Sequence, residues 1–161
     1  MLKKLRVKFI ALNMATVAVV LAVVFTFSCC CLVNATGMDR SYLFSMDTAE
    51  EVAKFDNDNT GAKIELSREV VRQGSASLKI TPSGKSPETK IAVDIAGDTL
   101  SAWIGNDALA VHVFIPEKMK VAPNSFFLGM ADLSDGWAWV DGVFPRVEVK
   151  PGWNDIVYTL S

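Results

Sequence analysis

Trp137 and Trp139 are the residues whose type and spacing most directly suggest a binding surface. They sit in Gly136-Trp137-Ala138-Trp139-Val140-Asp141-Gly142, and side chains two apart on a strand share one face. Ala138 and Val140 would then turn toward the packed side and leave two indoles as a flat outward platform. Platforms of that kind meet a partner. A pair buried under a loop or between sheets would satisfy the same spacing. Asp132, Asp135 and Asp141 bracket the tryptophans in turns, as hydroxyl acceptors or as solvated turn residues. Arg146 and Glu148 alternate with Val147 and Val149 and are expected to face outward. His112 lies opposite the apolar face of its own strand. Trp103, in a polar connection, would form the wall of a groove or cap one end of the core. Whether these residues share the tryptophans' sheet is not encoded in their spacing.

Other chemistry has little to stand on. His112 is the only histidine and no cysteine follows Cys31, so residues beyond it hold neither a thiolate metal site nor a disulfide framework. Serine, cysteine or zinc hydrolysis would all rest on one imidazole.

The elements that must position these residues follow from composition and periodicity. The chain has 161 residues and a mean hydropathy of +0.28. Residues 1–38 hold all three cysteines, four basic residues and no acid, leaving 12 basic against 18 acidic residues beyond them, a formal charge of −6. Those charges are interspersed, with no basic stripe to neutralise phosphates, so nucleic acid is excluded as a partner. About 120 residues suffice for one core.

A basic start (Lys3, Lys4, Arg6, Lys8) precedes the uncharged residues 9–33, the layout of an export signal. That run is 25 residues, longer than the usual signal core of about 7–15 residues. As a helix it would cross ~30 Å of hydrocarbon, so a signal anchor through residues 9–33 is one reading. Cleavage after Val33-Asn34-Ala35 and a degenerate lipoprotein box at Ser28-Cys29 are the alternatives. Residues 1–35 are therefore expected as a signal peptide or signal-anchor helix, 36–41 as a linker, and 42–161 as an extracellular domain.

Within that domain, residues 42–46 suggest a first strand. Asp47 and Glu50 have capping-box spacing ahead of a short helical turn over 48–55. Residues 56–61 (Asp-Asn-Asp-Asn-Thr-Gly) open like an EF-hand loop, but Ser67 stands where the bidentate Glu belongs, so a polar turn ending in glycine is expected. Alternation then marks strands at Ile64/Leu66, Ala76/Leu78/Ile80, Ile91/Val93/Ile95 and Leu109/Val111/Val113/Ile115, and over 125–133, 136–144, 146–150 and 154–160. Eight or nine short strands at roughly ten-residue spacing predict an all-β fold, a β-sandwich or jelly roll behind one N-terminal hydrophobic helix.

Four phrases occur in a familiar order: Phe44-Ser45-Met46-Asp47; Arg72-Gln73-Gly74-Ser75-Ala76-Ser77-Leu78-Lys79-Ile80; the proline-ended strand 110–116; and Lys150-Pro151-Gly152-Trp153-Asn154. With them, residues 42–161 resemble the galactose-binding-like jelly rolls that serve as carbohydrate-binding modules of secreted bacterial β-mannanases and β-glucanases. The resemblance implies a non-catalytic module holding a polysaccharide or oligosaccharide on a shallow groove lined by tryptophans, and for many members a structural calcium. The chain departs from the pattern at Ser161, where such modules continue through one or two further strands. Either the fold closes unusually early or the chain is the N-terminal part of a longer glycoside hydrolase or surface glycan-binding protein, and a calcium site that draws on those further strands is not expected complete.

Under that reading Trp137 and Trp139 stack on neighbouring sugars, and Trp103, His112, Arg146, Glu148, Asp132 and Asp135 complete the groove. Trp153, after Pro-Gly, is expected as a packing residue. A glycosidase would need two carboxylates about 5–9.5 Å apart, one with a raised pKa, and nothing in the spacing selects a pair. The alternative is a membrane-anchored sensor or adhesion domain whose platform takes a protein or a small ligand.

Overall fold

The computed structural model describes residues 5–12, 25–33, 40–104, 106–119, 123–134, 138–140 and 145–159. The alternating runs expected at 64–66, 76–80, 91–95, 109–115, 125–133 and 154–160 all become strand, whereas of 146–150 only Val147–Glu148 does. In β7 (Glu88–Ile95) and β8 (Ala108–Ile115) the residues Ile91, Val93, Ile95, Leu109, Val111, Val113 and Ile115 are all buried. Around these two strands the chain builds two antiparallel sheets, and the fold is all-β.

The first sheet runs β10 (Ala138–Val140), β9 (Ser125–Asp132), β1 (Leu5–Leu12), β7 and β4 (Phe55–Asp56), with β11 (Val147–Glu148) also paired to β9. The second runs β12 (Gly152–Thr159), β8, β2 (Phe25–Val33), β6 (Ser77–Thr81) and β5 (Lys63–Ser67), with β3 (Arg40–Phe44) paired to β2. One apolar cluster draws on both sheets, with Phe126 and Leu128 of the first and Leu78, Ile80, Ile156 and Tyr158 of the second. Phe44 and Phe55 meet edge to face in it, 5.2 Å between ring centres.

The N-terminal stretch departs most from expectation. Where a single helix was predicted over 9–33, the described residues form β1 and β2, each between two other strands. β1 pairs along its whole length with β7 and β9, and β2 with β8, β6 and β3. Residues 13–24 lie outside the described residues. The physical reason is a degeneracy: a short uncharged apolar run fits a buried strand as well as a helix, and periodicity alone does not separate the two. Leu5, Val7 and Phe9 in fact alternate with Arg6 and Lys8, a period-two signal that the basic start of an export sequence masks. Among the described residues no helix is long and apolar enough to cross a membrane.

Two short helices refine the expected connections. The helix expected over 48–55 is α1 (Ala49–Val52), capped by Thr48, not Asp47: Thr48 Oγ1 accepts from Glu51 N–H at 3.2 Å. Glu51 in turn accepts from the Ser45 hydroxyl at 2.5 Å. Asp47 is used elsewhere. Its carboxylate accepts from Ser75 N–H (2.6 Å), Ala76 N–H (2.9 Å) and the Ser75 hydroxyl (3.1 Å). These bonds, the Ser75 amide first, outweigh partial burial and hold Asp47 below the usual carboxylate range. The connection after β7 is also partly helical, as α2 (Gly97–Ile104), whose Leu100 and Trp103 sit three apart and are buried. The polar turn at residues 56–61 closes on itself, with Asp56 Oδ1 accepting from Asp58 N–H at 2.8 Å and Gly61 at φ 70°.

The Asp47 contact fixes the loop that carries Arg72. Gly74 stands there at φ +78°, and a Cβ would lie 2.5 Å from Asp47 Oδ1. Gly74→Ala should therefore destabilise the domain by about 2–3 kcal/mol, the left-handed cost plus broken carboxylate bonds. Gly97, at φ +57° with nothing within 4 Å of a built Cβ, isolates the backbone cost, and Gly97→Ala should lose only about 1 kcal/mol. Paired denaturant titrations of the two variants check the difference. Equal losses would mean that the Asp47 contact adds nothing.

Candidate functional site

Alternation along β8 and β12 decides what the outer face of the second sheet carries. Because Leu109 through Ile115 (odd positions), Ile156 and Tyr158 fill the core, His112, Phe114, Trp153, Asp155 and Val157 turn outward. The antiparallel register sets Phe114 opposite Trp153, His112 opposite Asp155, and Ala110 opposite Val157. Outward residues on neighbouring strands thus become a contiguous surface.

Its apolar part is the half-buried pair Trp153 and Phe114, ring centres 5.2 Å apart and planes inclined by 58°. Arg72, held by the Asp47-anchored loop, places its guanidinium 5.6 Å from the centre of the Trp153 ring. The same guanidinium bonds Asp155 Oδ2 at 2.8 Å. The other carboxylate oxygen lies 2.6 Å from His112 Nδ1. An ionised carboxylate only accepts, so Nδ1 carries the proton and Nε2 is the imidazole's second hydrogen-bonding atom. The His112 hydrogen bond first, and Arg72 after it, outweigh partial burial and hold Asp155 below the usual carboxylate range. Val157 (64 % exposed) and Tyr42 (46 % exposed) extend the apolar character of the face, and Gln73, next to Arg72, donates to the Tyr42 hydroxyl. Partly exposed aromatic surface beside pre-oriented donors and acceptors can bind a ligand that is apolar on one face and polar around its rim.

The residues singled out in the sequence are distributed differently from the expected single groove. His112 belongs to this face. Trp103 does not, because it is 7 % exposed and packed in the core from α2, so it forms no groove wall. Arg146 and Glu148 are exposed at β11, in the first sheet. Asp132 ends β9 in that sheet and accepts from the Ser134 amide and hydroxyl at 2.8 and 2.7 Å, which hold its carboxyl low. Trp139 lies in β10 opposite the buried Ala131, and its side chain is outside the description. Ala138, expected on the core side, is exposed. Trp137, Asp135 and Asp141 lie outside the described residues.

Sequence reasoning missed Trp153, Phe114, Asp155 and Arg72. Part of the signal was present, since Trp153, Asp155 and Val157 alternate with the core residues Ile156 and Tyr158. Their alignment with Phe114 and His112 is set by pairing across some forty residues, which no local pattern announces. Among the described residues no group of three or more His, Cys, Asp or Glu side chains is arranged to hold a metal ion. Comparison with protein families, curated proteins and solved structures finds no match.

Acid should test the Asp155 bonds. A carboxylate whose folded pKa is depressed contributes stability that is present above its unfolded value, about 3.9, and lost as pH falls through the folded value. Asp155→Asn should therefore show a smaller drop in stability than the parent between roughly pH 4 and pH 2. Denaturant midpoints measured across that range read the effect, and parallel curves for the two proteins would contradict it.

Proposed function

We propose that this protein is a non-catalytic, extracellular polysaccharide-binding module of the β-mannan or β-glucan type, on a galactose-binding-like β-sandwich. The observation that carries the reading is the outward Trp153–Phe114 surface with Arg72, Asp155 and His112 locked beside it. A pyranose presents C–H groups on one face and hydroxyls around its edge, the complement of that arrangement. The position is on the outer face of a sheet, which suits a segment of a long chain. The bonds among Arg72, Asp155 and His112 fix the polar groups before ligand arrives, which lowers the ordering cost of binding.

The carboxylate chemistry favours binding over hydrolysis. Glycoside cleavage needs a positioned pair of carboxyls, one with a raised pKa, whereas on this face Asp155 is tied to His112 and Arg72, which hold it below the usual carboxylate range. In this reading the site differs from the one expected at Trp137 and Trp139, with Trp153 as the principal stacking residue. The extracellular setting rests on the basic start and the uncharged run.

Titrating the full chain with mannan, glucomannan and β-glucan should quench or shift its tryptophan emission. Trp153→Ala should weaken binding at least tenfold, a loss of about 1.4 kcal/mol, with the folded signal by circular dichroism retained. Trp137→Ala should have the smaller effect. Binding that survives Trp153→Ala and fails in Trp137→Ala would relocate the site. No response to any of the three glycans, together with concentration-dependent self-association, would favour the sensor or adhesion alternative.

A further inference from the structure

We infer that the first sheet carries a second, independent sugar site, a cleft at the start of β9 built from Asn124, Ser125, Arg146, Glu148 and Val149. This rests on the polysaccharide-binding reading and extends it from one site to two. The cleft has a volume of about 520 Å³, within the range of small-molecule sites. Backbone pairing shapes it: Glu148 lies opposite Ser125 in the β11–β9 ladder, and Val149 N–H donates to Asn124 C=O at 3.0 Å.

The polar groups lining it are unspent. Beneath it Ser125 is 6 % exposed, and its Oγ, out of reach of solvent, has no hydrogen-bond partner among the described residues, although a buried hydroxyl left unpaired is costly and uncommon in folded proteins. Among the described residues the side chains of Asn124, Arg146 and Glu148 make no hydrogen bond or ion pair either. On the second sheet, by contrast, Arg72, Asp155 and His112 satisfy one another. An amide, a guanidinium and a carboxylate around one opening, with Val149 as the apolar contact, offer donors and acceptors in mixed order. The opposite charges of Arg146 and Glu148 balance, which favours a neutral ligand dense in hydroxyls over an anion or a cation. A single hexose unit, at a chain end or a branch, has that chemistry. Because β11 pairs in the first sheet and Trp153 lies in the second, the two sites are separate, and the module would hold two glycan segments at once.

Calorimetric titration of the full chain with soluble manno- and gluco-oligosaccharides tests this. Two ligands per chain are expected for the parent and one for the Arg146→Ala/Glu148→Gln variant, with the Trp153 site keeping its affinity. Trp153→Ala should leave only the cleft. One ligand per chain in the parent, unaltered by Arg146→Ala/Glu148→Gln and abolished by Trp153→Ala, would overturn the cleft and leave the first site standing. One ligand lost only in the Arg146→Ala/Glu148→Gln variant would overturn the Trp153 site and keep the cleft. No binding by the parent would overturn both.

Discussion

Backbone pairing of β1 and β2 on both of their edges is the constraint on which the rest of this structure depends. β1 separates β7 from β9, and β2 separates β8 from β6, so each sheet is continuous only through a strand from the first 33 residues. Remove either, and two strands that now bond on that side would present unpaired amides and carbonyls. Both candidate sites hang on these ladders. The aromatic surface stands on β8, next to β2, and the polar cleft opens at the start of β9, next to β1, where Leu12 pairs with Ser125. The same segment has the composition of an export helix. A run without charges can satisfy its backbone internally as a helix or laterally in a sheet, and in this structure residues 25–33 do the second.

The outer face of the second sheet shows how a tertiary network turns ordinary residues into a prepared surface. Asp47 is drawn away from the helix it was expected to cap and instead fixes the turn at Gly74. That turn delivers Arg72 over Trp153 and onto Asp155, and Asp155 in turn orients His112. Each step satisfies a polar group that would otherwise compete with a ligand. The order runs from a positive-φ glycine to a stacked guanidinium.

Much of the fold was legible where local pattern and tertiary role coincide. The period-two runs at Ile91–Val93–Ile95 and Leu109–Val111–Val113–Ile115 are core in the structure because one face of each strand meets the apolar cluster. Legibility failed where a residue answers to a distant partner. Trp103 read as a loop residue because the i, i+3 pair it forms with Leu100 is a weak helical signal beside a glycine. Trp153 read as packing because its preceding Pro-Gly says nothing about Phe114. The tryptophan pair at 137 and 139 drew attention by spacing, and the register agrees with its alternation as far as it is described, with Val140 opposite the core residue Met130 and Trp139 opposite Ala131, while Ala138 at the strand's start is exposed.

Hydrogen–deuterium exchange on the intact chain tests the central claim most directly. If β1 and β2 are the inner strands of the two sheets, amides of residues 5–12 and 25–33 should exchange as slowly as those of β7, β8 and β9, and all should open together. Exchange of both segments at the rate of unstructured chain, while β8 and β12 stay protected, would contradict the account and detach both candidate sites from the framework described for them.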